Sequence, residues 1–210
     1  MTCVLVSQAQ QKNETYFKDY YLTKKVDKRK GKFKKVETKS IDGITSIQIW
    51  NLSKKCIIKE ENYQENNPVG VWTTYSENCS LVQKRDFTKL VYSSKKIDTL
   101  FNNDIKDGNP DNYVKAQYGE NEYAFYKYLG SKLSYPNEAR DAGIGGIVYL
   151  QFIITAEGSI KMVSIMKSAN AFLDYVSWEL IENMPKWNPA KKNDQPIDSY
   201  LILPVKFVLR

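Results

Sequence analysis

YPNEARDAGIGGIVYLQFIITAEGS (135–159) holds most of what decides the fold. Pro136 opens a short helical word, PNEARDA, because proline is tolerated at the first helical position, where its missing N–H costs nothing. Gly143 ends that helix. Gly145 and Gly146 lead into IVYLQFIIT, an apolar run of strand length, and TAEGS is a tight turn in which Gly158 supplies positive φ. The pattern predicts a β-hairpin over 147–168. No His, no Cys and no nucleophile beside a base occurs in the stretch, so its punctuation serves architecture rather than chemistry.

Outward from this hairpin, residues 121–134 place Tyr123, Phe125, Tyr126 and Leu129 at helical spacing, with Leu133 continuing the face. Residues 171–184, AFLDYVSWELIENM, predict an amphipathic helix with Leu173, Ser177, Leu180, Ile181 and Met184 on one side, and Pro185 stops it. KWNPAKKNDQPIDS reads as a polar loop anchored by a buried Trp187. YLILPVKFVL is the last strand, with Leu201, Leu203, Val205, Phe207 and Leu209 alternating towards the helices. Residues 113–210 hold a complete set of elements and are expected to fold alone.

These words at these spacings resemble the C-terminal domain of TonB proteins. The resemblance covers 118–210 and rests on Tyr135-Pro136, Ala139, Gly143-Ile144 with Gly146, the VYLQFIITAEGSI hairpin, Leu173-Asp174, Met184-Pro185-Lys186-Trp187, Pro189 and LPVKF at 203–207. It implies an α+β fold with helices packed on a three-stranded antiparallel sheet. It also implies capture of an extended peptide at a sheet edge, in energy transducers one from an outer-membrane receptor. Tyr135, Pro136, Gly143, Gly146, Pro185 and Trp187 are then structural motif residues. The edge is assigned to the final strand: Pro204 lacks an N–H and is best tolerated facing the unpaired side. Tyr200, Ile202, Lys206 and Val208 share its parity and form the expected peptide-binding row. Pro204 and Lys206 are also residue types that blunt an open edge, and a protected, unused edge is the plainer alternative.

Before this domain, residues 16–93 carry short β-type runs separated by turn signals. IQIWNLSKKCIIKEENY and VGVWTTYSENCSLVQKRDF each place a Trp, a loop with Cys, a strand and a terminal aromatic in that order. The second unit resembles the MORN-repeat variant through Gly70, Trp72, Tyr75 and Asn78, with Cys79 where Gly is usual. The resemblance implies a meandering antiparallel sheet with aromatics on one face. Cys56 and Cys79, at equivalent positions in successive hairpins, would stand two strands apart, roughly 9.5 Å at ~4.8 Å per strand. That exceeds the reach of about 7 Å for a disulfide, so no bridge is expected. Residues 94–115, polar and rich in Asn, Asp, Gly and Pro, read as a linker, leaving 116–210 as the TonB-like domain.

The 210 residues include no His, which removes the commonest general base and metal ligand. Asp174, Glu179, Glu60 and Glu61 are assigned to solvated faces, and Gly143, Gly145 and Gly146 precede a strand, not the helix a phosphate loop needs. No catalytic residue, metal or cofactor is expected, and the chain reads as a binding protein rather than an enzyme. Residues 1–15 read as a signal-peptide remnant and disordered start. CVLVSQA ends in small residues around a cleavage point after Ala9, which would make Met1 internal to a longer precursor and the product periplasmic. No run is long enough to span a bilayer. The expected partner is an envelope protein or peptide such as a TonB-dependent receptor, in transport or envelope assembly; the oligomeric state is not legible. Of the net charge of +7, nearly all lies before residue 113, concentrated in KKVDKRKGKFKK from Lys24 to Lys35. This run is either a solvated face or an alternative function, a basic module for membrane or nucleic acid. Export argues against nucleic acid.

Overall fold

The computed structural model describes residues 11–94 and 112–209. The expected signal remnant through Ala9 and most of the expected linker lie outside them. The chain divides into two compact units, Met1–Lys89 and Leu90–Arg210.

Among the described residues, the first unit is one antiparallel sheet of eight strands: β1 (Gln11–Phe17), β2 (Lys25–Val26), β3 (Phe33–Lys39), β4 (Ile44–Asn51), β5 (Cys56–Gln64), β6 (Asn67–Pro68), β7 (Val71–Tyr75) and β8 (Leu81–Asp86). Their order is β2-β1-β3-β4-β5-β7-β8, with β6 against β5. The meander begins earlier than expected. Residues 11–15 are paired along β3 rather than disordered, because the register Phe17↔Phe33 runs on to Gln11↔Lys39. Phe17, Phe33, Ile49 and Ile58 form a buried cluster, and Tyr20, Leu22 and Cys56 pack against it.

Trp72 is buried, stacked between Tyr63 and Phe87, with Nε1 donating to the Asn62 and Val69 carbonyls. Trp50 is not its structural twin. It pairs with Lys34 and so faces away from Phe33 and Ile49, half-buried beneath the Lys34 ammonium. The two Trp residues therefore occupy opposite faces of the sheet, not one.

Cys56 and Cys79 are joined, with Cα atoms 6.2 Å apart. The expectation of a two-strand gap fails for a topological reason. β5 and β7 are direct neighbours, and Cys79 sits in the turn after β7 rather than on a strand. Its φ of 69° and its N–H bond to the Ser76 carbonyl turn it back towards the start of β5.

The second unit contains β9 (Tyr113–Val114), α1 (Glu122–Lys132), α2 (Asn137–Asp141), β10 (Gly146–Ile154), β11 (Ile160–Lys167), α3 (Ala171–Glu182), β12 (Ala190–Lys192), β13 (Gln195–Ile197) and β14 (Ser199–Phe207). β11-β10-β14 is the expected three-stranded antiparallel sheet, and the α+β class holds. Val148, Leu150, Phe152 and Ile154 of β10 point to one side and are almost wholly buried. α3 covers that side with Leu173, Ser177, Leu180 and Ile181, as its periodicity predicts. Asn170 caps it by accepting from the Phe172 N–H.

Four local expectations need revision. On α1 the inward residues are Phe125, Tyr128 and Leu129, while Tyr123 and Tyr126 are exposed, since 123 and 126 share a different stripe of the helix from 125 and 129. Pro136 is the N-cap of α2 rather than its first residue; its carbonyl accepts from Arg140. The loop after Pro185 is partly ordered as a hairpin, because Asn193 and Asp194 both adopt positive φ and close β12 onto β13. β9 pairs along β12, so Tyr113 and Val114 join this small second sheet and lie outside any linker.

The strand-like run at 89–93 also changes place. The Ile165 N–H donates to the Val91 carbonyl at 2.7 Å, and the Ser93 N–H donates to the Ile165 carbonyl at 2.9 Å. Tyr92 thus bridges β11 in parallel, and the units divide at Leu90 rather than after residue 93. Backbone bonding, not composition, sets this boundary. Among the described residues, no helix is long and apolar enough to cross a membrane.

Candidate functional site

β14 lies at the end of its sheet, paired only to β10 among the described residues. Its register sets Pro204 opposite Tyr149 without a bulge. Opposed residues in an antiparallel pair alternate between exchanging two hydrogen bonds and exchanging none. Pro204 has no N–H, so its pair is of the second kind, and Leu203↔Leu150 and Val205↔Val148 carry the ladder. Tyr200, Ile202 and Lys206 share the parity of Pro204, and their N–H and C=O groups point away from β10. The row offers three donors and, with Pro204, four acceptors to an incoming strand.

The side chains obey the same alternation. Leu201, Leu203, Val205 and Phe207 face the helices, with Val205 and Phe207 buried. Tyr200, Pro204 and Lys206 are exposed and Ile202 is half-buried. Two expected positions fall off the end. The last ladder pair is Gly146↔Phe207, so Val208 and Leu209 lie past the strand and are exposed, Leu209 at 40% rather than in the core.

The motif residues brace the end of this edge strand and the far end of the sheet. Tyr135 donates through its hydroxyl to the Ile144 carbonyl at 2.6 Å and sets its ring edge-on against Phe207. Gly143 follows α2 with φ of 68°, and Gly146 begins the ladder opposite Phe207. At the other end Trp187 packs among Tyr118, Phe125 and Phe152. It is half-buried rather than buried, although its Nε1 is enclosed without a hydrogen-bond partner among the described residues. Its backbone N–H donates to the Gly158 carbonyl at 2.8 Å. A Cβ on Gly158, which has φ of 80°, would stand 2.1 Å from the Trp187 carbonyl oxygen, so glycine is required at this crossing. Pro185 is exposed and borders a surface groove of about 610 Å³ with Tyr118, Tyr128 and Lys186.

The opposite edge of the sheet is occupied. Segment 91–93 lies along β11, and the Tyr92 hydroxyl reaches Asp174 at 3.1 Å. Asp174 was expected on a solvated face; it is fully buried at the start of α3. It accepts also from the Ser168 hydroxyl at 2.6 Å and the Ala169 N–H at 3.2 Å. Burial pushes its pKa up, and the donors around it, with the Asn170 backbone among them, oppose that shift. Burial and the neighbouring carboxylate raise the Tyr92 phenol as well. Nothing in the sequence marks Asp174 apart from its place in the Leu173-Asp174 motif. Glu61 is buried too, paired with Lys59 and accepting from the Tyr63 hydroxyl. Among the described residues, no group of three Cys, Asp or Glu could hold a metal ion.

Residues 131–209 match the family model of the Gram-negative bacterial TonB protein C-terminal. The resemblance read over 118–210 is borne out across that segment. No curated protein and no solved structure matches the chain.

Proposed function

We propose that this is a TonB-like protein of the cell envelope whose C-terminal unit binds an extended peptide by strand addition along β14. The observation that carries the reading is the free row of backbone groups on Tyr200, Ile202, Pro204 and Lys206, with the register turning Pro204 outwards. The β11 edge already holds residues 91–93, so β14 is the edge left for a partner. About six ladder bonds, each worth about 0.5–1.5 kcal/mol net, roughly offset the cost of association. Affinity then comes from burying side chains, and exposed Tyr200 with half-buried Ile202 supply that surface. The match to the TonB family supports a receptor of the outer membrane as the source of the peptide. The Cys56–Cys79 bridge supports an oxidising compartment, as the periplasm is. Recognition, not catalysis, is the activity this arrangement serves.

Amide exchange with and without a receptor-derived peptide tests the reading. Slower exchange at Ile202 and Lys206 is the expected result. Protection confined to residues 44–93 would move the site to the N-terminal sheet and overturn it.

A further inference from the structure

The basic run that the peptide reading leaves unused is assembled by the fold into something larger. The Lys18 N–H bonds the Lys24 carbonyl, the Lys32 N–H bonds the Phe17 carbonyl, and the Leu52 N–H bonds the Lys32 carbonyl, at 2.9–3.0 Å. Together with the register Phe17↔Phe33↔Asn51, these bonds bring two sequence-distant loops to one end of the first sheet. Lys24, Lys25, Lys28, Arg29, Lys30 and Lys32 come from one loop and Lys54 and Lys55 from the other, and all eight are exposed. Among the described residues none of these eight is in an ion pair, whereas Lys12, Lys34, Lys35 and Lys59 of the same unit are. Three carboxylates share this end, Asp19, Asp27 and Glu77. Asp19 is spent locally, accepting from the Thr23 and Lys24 N–H groups at 3.0 and 2.8 Å. These eight exposed cations still outnumber the three carboxylates, and a surplus of positive charge remains.

Within the same loop Tyr21 is 82% exposed. An aromatic ring held in solvent amid lysines matches the chemistry of a lipid interface, where the ring sits at headgroup depth and the cations meet phosphate. We propose that this end of the N-terminal sheet docks on a bilayer surface bearing anionic headgroups. The disulfide at the base of the same end argues for a membrane over nucleic acid, since it belongs to compartments that hold none. This inference rests on the first unit alone and stands apart from the peptide edge.

Vesicle co-sedimentation of the full chain tests it. Phosphatidylglycerol-containing vesicles should bind the protein and pure phosphatidylcholine vesicles should not, with binding falling as salt rises. A Lys28→Gln, Arg29→Gln, Lys30→Gln variant should lose about a hundred-fold in partitioning, since each charge contributes about five-fold at an anionic surface. Lys28→Arg with Lys30→Arg should retain it, and Tyr21→Ser should weaken it without altering the salt slope. A Lys161→Gln, Lys191→Gln, Lys192→Gln variant, with the same charge loss in the other unit, serves as the control and should bind normally. Circular dichroism confirms that each variant is folded. Equal loss in the control variant would reduce the effect to net charge and overturn the proposal. So would undiminished binding by the 28–30 variant, or no vesicle binding together with salt-sensitive binding to duplex DNA.

Discussion

At Asp174 a single carboxylate ties three segments together: the Ser168–Ala169 turn, the first turn of α3 and, through the Tyr92 hydroxyl, the strand laid on β11. Its neutral form is favoured by burial in the folded state. The sign of the pH dependence follows. Below the ordinary carboxyl pKa the group is protonated whether folded or not, and its contribution is fully present. As pH rises from 3.8 through the raised folded value, the folded chain must ionise a buried group, and stability is lost. Asp174→Asn cannot ionise, so wild type minus variant stability should decline across that window and then level off. Urea midpoints of both proteins across the acid range measure this; a rising difference would contradict it. The same residue shows where reading a chain residue by residue stops. Its position on a helix was legible, but the Tyr92 that closes over it comes from 82 residues away.

Among the elements, the β7–β8 turn shows the largest departure from pattern. A repeat of Trp, Cys and strand suggested equivalent positions and distant cysteines; adjacency of β5 and β7 made them partners instead. Closing a loop with a sequence separation of 23 should contribute about 3 kcal/mol through the unfolded chain. Cys79→Ser, or reduction, should lower the unfolding free energy of the N-terminal sheet by about that amount and leave the C-terminal unit unchanged. Tryptophan fluorescence from Trp72 against amide exchange on β10 separates the two. By contrast, β10, β11, α3 and β14 were legible almost to the residue, because each carries its own period, and Gly158 and Pro185 mark the turn and the helix end between them.

For the whole molecule, the division at Leu90 makes a prediction about truncation. A fragment of 113–210 contains α1, α2, α3 and the three-stranded sheet, yet it lacks the two backbone bonds to Ile165 and the Tyr92–Asp174 bond. It also exposes the β11 edge and drops Leu90, buried in the intact chain. We expect 90–210 to be more stable than 113–210 by about 3–7 kcal/mol, from three hydrogen bonds and one buried Leu. Chemical denaturation of the two fragments checks this, and the shorter one should also associate at its bared edge. Equal stability would mean that the strand at 90–93 is a passive neighbour.

The features legible in the chain before folding are local and periodic: the hairpin at 147–168, the buried stripe of α3, the alternation of β14 and the outward parity of Pro204. Side-chain period and the missing N–H of proline act over a few residues, so they are written where they act. Strand adjacency is what brings Cys56 to Cys79, turns Trp50 and Trp72 opposite ways and carries Tyr92 to a buried Asp174. It also gathered Lys24–Lys32 with Lys54 and Lys55 at one end of the sheet. These depend on which strand lies beside which, a choice made by long-range hydrogen bonding and burial that no short window of sequence contains.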